Sequence, residues 1–164
     1  MPLDNATLAR RFYNEAWNKQ KLNVVDELVS STHALYDPSV QGSQSGPEVY
    51  KRRISEISSA FPDLRFVINE TISEGEKVAV SWNLSGTHKG EYFGVPGTGK
   101  TVSVDGTTIH HFANGKILDS FVCWDHLGLL RQLGIVQQAL EKPVQATPQA
   151  EVIAGPKARF INQS

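Results

Sequence analysis

Apolar positions recur at helical spacing through the first sixty residues and then switch to alternation. Leu8, Phe12 and Ala16 fall on one helical face, with Asp4 or Asn5 placed to cap its start. Val24, Val25, Leu28 and Val29 predict a second short helix over about residues 23–30. Residues 31–46 are rich in Ser, Gly and Pro and read as loop. Pro47 suits a first helical position, and Tyr50, Ile54, Ile57 and Phe61 form the apolar stripe of a third helix that Pro62 ends.

From Leu64 the period becomes two. Leu64, Phe66 and Ile68 alternate with polar partners, and Glu74-Gly75-Glu76 is a turn. Val78, Val80, Trp82 and Leu84 share one face of a strand that reaches about His88. A loop over 89–100 precedes a third strand, Thr101 to Phe112. Asn114-Gly115 is a strong hairpin signal, and Ile117 to Cys123 is the fourth strand. His126 to Leu133 is helical, with Gly134 as its stop.

Helices, then an antiparallel meander, then a helix define an α+β fold with helices on one side of the sheet. A strongly curved sheet closed by helices makes a cone with a pocket. Residues 1–136 carry this pattern as one domain. Residues 137–164, with Pro143, Pro148 and Pro156, read as an extended C-terminal tail. Val152, Ile153, Phe160 and Ile161 could dock it on a body or partner.

Composition narrows the function. The chain has 164 residues, 40% of them hydrophobic and 20% charged, as an ordinary single globular domain does. A net charge of -1 gives no electrostatic case for nucleic acid. No apolar run reaches membrane-spanning length, and the N-terminus lacks a signal-peptide core. Cys123 is the single cysteine, so no intrachain disulfide can form. A cytoplasmic protein is the expectation.

Gly94 to Thr101, GVPGTGKT, matches a phosphate-binding loop letter for letter. That motif needs a following helix to meet the phosphates, whereas TVSVDGTTIHHF alternates like a strand. The segment is better read as a mobile loop over a pocket mouth. His110 and His111 are adjacent, and adjacent strand residues face opposite ways, so they cannot chelate one metal. One must face inward; parity does not say which. Asp125 stands before the helix HLGLLRQL, as an N-cap or as a carboxyl at a pocket wall. Phe121 and Cys123 share its parity. Cys123 reads as a small hydrophobe rather than a nucleophile, for want of a partner base. Trp17, Trp82, Trp124, Tyr13, Tyr92 and Phe93 are candidates to line an aromatic pocket.

Three segments carry a family likeness: FPDLRF (61–66), GTHKGEYFGVPGTGK (86–100) and NGKILDSFVCWDHLGLLRQLG (114–134). Over about residues 5–136 the sequence resembles the SnoaL-like polyketide cyclases of the nuclear transport factor 2-like superfamily. The resemblance implies a cone of curved antiparallel sheet wrapped by three to four helices. It implies intramolecular aldol ring closure on a small hydrophobic or polycyclic substrate, with neither metal nor cofactor. It places the proton-exchanging aspartate on Asp125 and the enolate-stabilising histidine on His111. Tyr13, Trp17, Phe61, Trp82, Phe93, Phe121 and Cys123 are the expected substrate contacts. A sheet-to-sheet homodimer is also implied.

The chain departs from the family at two places. Many relatives read Glu-x-Trp at Asp119-Ser120-Phe121 and Pro-Pro-Thr-Gly at Pro96-Gly97-Thr98-Gly99. Epoxide opening, hydrolysis or isomerisation on the same scaffold, and a non-catalytic ligand-binding or dimerisation module, are the alternatives.

Overall fold

A computed structural model describes residues 3–40 and 44–136. The tail over 137–164 and its expected docking residues lie outside the described residues. Helix α1 spans Asn5–Arg11, and Asp4 caps it by accepting the Thr7 backbone N–H at 2.8 Å. The chain continues as a π-helical stretch, Phe12–Trp17. Helix α2 is Leu22–Leu28, β1 is Val29–Tyr36, β2 is Gln44–Ser45 and α3 is Pro47–Ala60. Strands β3 (Arg65–Glu74), β4 (Lys77–Thr87), β5 (Thr101–Ala113) and β6 (Lys116–Trp124) follow, then helix α4, His126–Gln132.

The six strands form one curved, open sheet in the order β2-β1-β6-β5-β4-β3. Strands β3 to β6 are the expected antiparallel meander. The α+β cone is thus the fold of the described residues.

One stretch differs from the sequence pattern. Residues 31–46 were expected as loop, and the second helix was expected to reach Ser30. Instead the helix ends at Leu28 and β1 follows at once, running parallel to β6. Its inward positions are Val29, His33 and Leu35, with Ser30, Ser31 and Thr32 between the first two. A register shift between Val29 and Ala34 breaks the two-residue period. A strand with a bulge and a buried histidine carries no clean alternation.

The inner face of the sheet is built as expected on β4, where Val78, Val80, Trp82 and Leu84 are all buried. On β5 the inner face carries Val102, Val104, Thr108, His110 and Phe112. Gly106 sits opposite Trp82 on β4 and Trp124 on β6. A Cβ there would lie 2.4 Å from the Trp82 ring and 2.7 Å from the Trp124 Cβ. The missing side chain lets Trp82 lie across β5, where its indole N–H donates to Thr108 Oγ1 at 3.0 Å.

The loop over 89–100 is tied down along its length. Lys89 and Gly90 donate to the Ala60 carbonyl, and Gly99 donates to that of His88. His88 is buried, and its Nδ1 accepts the Thr98 backbone N–H at 3.2 Å. Strand β5 starts at Thr101, so no helix follows GVPGTGKT and the phosphate-loop reading has no structural basis. No described helix is long and apolar enough to cross a membrane.

Candidate active site

Between the π-helical stretch, α3 and the inner sheet face lies a narrow cleft of about 40 Å³. The π-helical stretch brings Phe12, Tyr13 and Trp17 to its wall. There the Asn18 N–H donates to the Tyr13 carbonyl, a five-residue step wider than an α-turn. Phe66, Trp82, Leu84, Thr108, Val122 and Trp124 supply the sheet side. Ile57, Tyr50 and Arg53 come from α3, and Leu35 and Asp37 from β1 and its end. The cleft shares Arg53 and Ile57 with a wider outer groove of about 490 Å³ lined also by Arg52, Glu56, Tyr92 and Phe93.

Two polar features interrupt this aromatic lining. The first is an ion pair: Arg53 Nη2 lies 2.9 Å from Asp37 Oδ2, with side chains 14% and 5% exposed. Asp37 Oδ1 accepts three further donors, the Ser39 backbone N–H at 2.8 Å, Ser39 Oγ at 2.7 Å and Trp124 Nε1 at 3.1 Å. Among the described residues Oδ2 accepts only from Arg53. Arg53 spends Nη2 on Asp37 and on Ser39 Oγ, at 3.1 Å. Its Nε and Nη1 edge has no partner among the described residues. The carboxylate is therefore held in place yet keeps a lone pair, and the guanidinium keeps donors free.

The second feature is a buried chain. Tyr13 Oη lies 3.2 Å from His110 Nε2, His110 Nδ1 lies 2.7 Å from Ser120 Oγ, and Ser120 Oγ lies 3.1 Å from His33 Nε2. His33, His110 and Ser120 are fully buried. Burial pushes His110 down to about 3, with the nearby His33 and His111 adding to the shift. Burial pushes His33 down to about 4, opposed by the Asp119 carboxylate. Both rings are neutral at pH 7. Burial raises the Tyr13 and Tyr50 hydroxyls well above the usual phenol range.

At the rim, His126 packs its ring 4.8 Å from that of Trp124, and its Nε2 lies 3.1 Å from Tyr92 Oη. Burial lowers the His126 pKa, helped by Arg53 and opposed by Asp37.

Residues 7–133 match the family model for the SnoaL-like polyketide cyclases. The chain belongs to the SnoaL-like polyketide cyclase family. It is 30% identical over 131 residues to the aklanonic acid methyl ester cyclase DauD of a Streptomyces species, covering 77% of this chain and 80% of that one. Among solved structures, TsrD of Streptomyces laurentii superposes with a TM-score of 0.72 at 27% identity, over 82% of this chain and all of TsrD. A candidate polyketide cyclase from Acidithiobacillus ferrooxidans superposes with a TM-score of 0.73 at 26% identity, over 82% of this chain and 98% of the other.

In this SnoaL-like cyclase three of the expected contacts, Tyr13, Trp17 and Trp82, line the cleft. Phe61 is buried behind it, beside Leu84 and Trp124 in a smaller void. Phe93 is exposed on the wall of the outer groove. Phe121 and Cys123 do not face inward. Both are exposed on the outer sheet face, and Phe121 stacks on Tyr36 at 4.5 Å. The inward parity on β6 belongs to Ser120, Val122 and Trp124.

The structure does not bring His111 and Asp125 together. His111 faces outward, its Nδ1 3.0 Å from Asp119 Oδ1, while His110 takes the inward place. Asp125 is exposed and caps α4, with Oδ1 accepting the Gly128 N–H at 2.8 Å. The Asp125 N–H bonds to Asp105, six residues along β5 from His111. At about 3.3 Å per residue that is roughly 20 Å of strand. Neither residue lines the cleft.

Asp37 carries no single-residue sequence signal, and Arg53 carries a weak one. Asp37 lies in the stretch read as loop, where Asp is ordinary turn chemistry. Arg53 falls three residues after Tyr50 and four before Ile57, on the apolar stripe of α3. A lone charge on a buried stripe was the one available sign of it.

Proposed function

We propose that this protein is a cofactor-independent acid/base cyclase that closes or isomerises a ring of a polyketide-like substrate by intramolecular aldol-type chemistry. The observation that carries the reading is the Asp37–Arg53 pair set in an aromatic cleft. Both parts of the required chemistry come from the chain itself. Asp37 Oδ2 retains the lone pair that can take a proton from a carbon flanked by carbonyls. The free edge of Arg53 can donate to the oxygen on which the enolate charge develops. A fixed cation in a low-dielectric cleft stabilises such charge far better than water does. Proton transfer by one placed group is worth about 10² to 10⁴ in rate. The aromatic walls would hold a flexible chain in a folded, reactive shape. The wider outer groove can take the part of the substrate that does not react.

The family membership and the 30% identity to an aklanonic acid methyl ester cyclase support a ring-closing role and supply a probe substrate. The exposed, apolar outer sheet face, with Tyr36, Ile109 and Phe121, supports a homodimer. The experiment is incubation of the purified protein with aklanonic acid methyl ester, with product followed by chromatography. Asp37→Asn should remain folded and lose at least about tenfold to a hundredfold in kcat. Undiminished turnover in that variant would remove Asp37 from the mechanism.

A further inference from the structure

The buried chain from Tyr13 to His33 has a direction. Four groups are joined by three hydrogen bonds: Tyr13 Oη to His110 Nε2, His110 Nδ1 to Ser120 Oγ, and Ser120 Oγ to His33 Nε2. Each neutral imidazole has one N–H and one bare nitrogen. Ser120 has one proton to give. If each bond holds one proton and the Ser120 hydroxyl donates to one imidazole and accepts from the other, the chain can point only two ways. In one, donors run from Tyr13 towards His33, and the Tyr13 proton is used up on His110. In the other, donors run from His33 towards Tyr13. His33 Nε2–H then donates to Ser120, Ser120 donates to His110 Nδ1, and His110 Nε2–H donates to the Tyr13 oxygen.

The two directions leave different groups at the far end. His33 Nδ1 is buried and has no partner among the described residues. The first direction makes it an N–H donor without an acceptor; the second leaves it a bare nitrogen. Buried N–H groups without an acceptor are the rarer and costlier defect in folded proteins. The second direction is therefore preferred. It has a consequence at the cleft: Tyr13 accepts from His110, and its own O–H is released. Tyr13 lines the cleft, and Thr108 and Trp82 stand beside its hydroxyl. Thr108 Oγ1 accepts the Trp82 indole N–H and, as a hydroxyl oxygen, keeps a second lone pair.

We propose that His33, Ser120 and His110 act as one directional hydrogen-bond chain that turns the Tyr13 hydroxyl into the cleft as a donor to a substrate oxygen. Tyr13 is the group that touches substrate; the other three are positioning residues. With Arg53 on another part of the wall, the cleft then offers donors to two oxygens. A substrate with two carbonyls placed around the reacting carbon fits that arrangement. This last step rests on the cyclase reading above; the direction of the chain does not.

Nitrogen-15 NMR of the imidazole rings in the substrate-free protein tests the direction. Both His33 and His110 should be Nε2–H tautomers with bare Nδ1 atoms. If either ring carries its proton on Nδ1, the proposal is overturned. In Tyr13→Phe, His110 Nε2–H loses its acceptor. Each direction then strands one buried N–H, at His110 Nε2 or at His33 Nδ1, so the Nε2–H preference should weaken at both rings by the same amount, although His33 does not bond to Tyr13. A tautomer ratio that moves at His110 and stays fixed at His33 would show that the groups do not act as one chain. Ser120→Ala should break the coupling while the protein stays folded. With aklanonic acid methyl ester, Tyr13→Phe and Ser120→Ala should each lower kcat and leave KM near its starting value. An unchanged kcat in Tyr13→Phe beside a depressed kcat in Asp37→Asn would overturn the donor role and leave the cyclase reading standing.

Discussion

Asp37 and Arg53 meet at 2.9 Å inside a wall that is otherwise aromatic and aliphatic but for Thr108, one from the end of β1 and the other from the apolar stripe of α3. Trp124 and Ser39 fix the carboxylate from its other side. A buried pair of this kind is weak as a source of stability, because desolvation offsets most of the attraction. Its geometry makes better sense as a preorganised site.

Arg53 separates these two roles. Arg53→Ala strands a buried carboxylate and should cost about 3 to 5 kcal/mol of stability. Arg53→Lys keeps the charge but loses the planar fork that holds Asp37 and Ser39 while leaving an edge free. It should fold, with kcat reduced by more than its melting temperature would suggest. Denaturation curves and turnover on the same preparations check this. Equal turnover in Arg53→Lys and the parent would count against a directional role.

Asp125 should behave as a cap. Asp125→Ala removes the acceptor of the Gly128 N–H and should cost about 1 kcal/mol, whereas Asn caps nearly as well. Asp125→Asn should therefore retain both stability and turnover, in contrast to Asp37→Asn. A large loss of kcat in Asp125→Asn with stability intact would return the proton-carrying role to that residue.

The two buried histidines predict an acid limit. Their folded values, about 3 for His110 and about 4 for His33, lie below the ordinary value of about 6.5. Asp119 is the carboxylate that opposes the shift at His33, and His33 and His111 add to the shift that burial causes at His110. Above about pH 6.5 neither state binds the extra proton, and stability is flat in these groups. Below it the unfolded chain binds protons that the folded one excludes. Stability should fall from about pH 6.5 down to about pH 4, by at most about 1.4 kcal/mol per pH unit for each ring. Denaturant midpoints across pH 4–7 test this, and His33→Asn should reduce the slope by up to half.

Gly106 should not tolerate a side chain. A methyl there meets Trp82 and Trp124 at once, so Gly106→Ala must displace an indole that lines the cleft. Overpacking of this kind costs about 1 to 3 kcal/mol. Indole fluorescence and turnover should change together. An unchanged emission spectrum would mean that the two rings relax without moving the cleft wall.

The outer sheet face gives a test of assembly. Tyr36 and Phe121 stack at an interplanar angle of 11° and are about half exposed, with Ile109 beside them on β5. Phe121→Lys should convert a dimer to a monomer by sedimentation or light scattering while leaving the fold intact. A parent protein that is already monomeric at micromolar concentration would remove the dimer reading.

The elements and the sheet face were largely legible in the sequence. Periodicity located α1, α3, the four meander strands and α4, because each buries one face against a single core. Tyr13 and Trp17 fall outside the Leu8, Phe12 and Ala16 stripe and were candidates only as aromatics; with Trp82 they line the cleft. Strand β1 was not legible, because its bulge and buried His33 erase the alternation by which a strand is recognised.

What the sequence by itself determined was the fold, the family and an aromatic interior. Three matters were decided only by tertiary structure. The register of β5 against β6 chose His110 over His111 for the interior, since a one-residue shift exchanges the two faces of a strand. The entry into α4 left Asp125 as a cap, because its carboxylate meets the Gly128 N–H before it can reach the cleft. The parallel pairing of β1 with β6 brought Asp37 against Trp124 and Arg53. Each is a matter of which residues meet across long stretches of chain, and local periodicity holds no record of that.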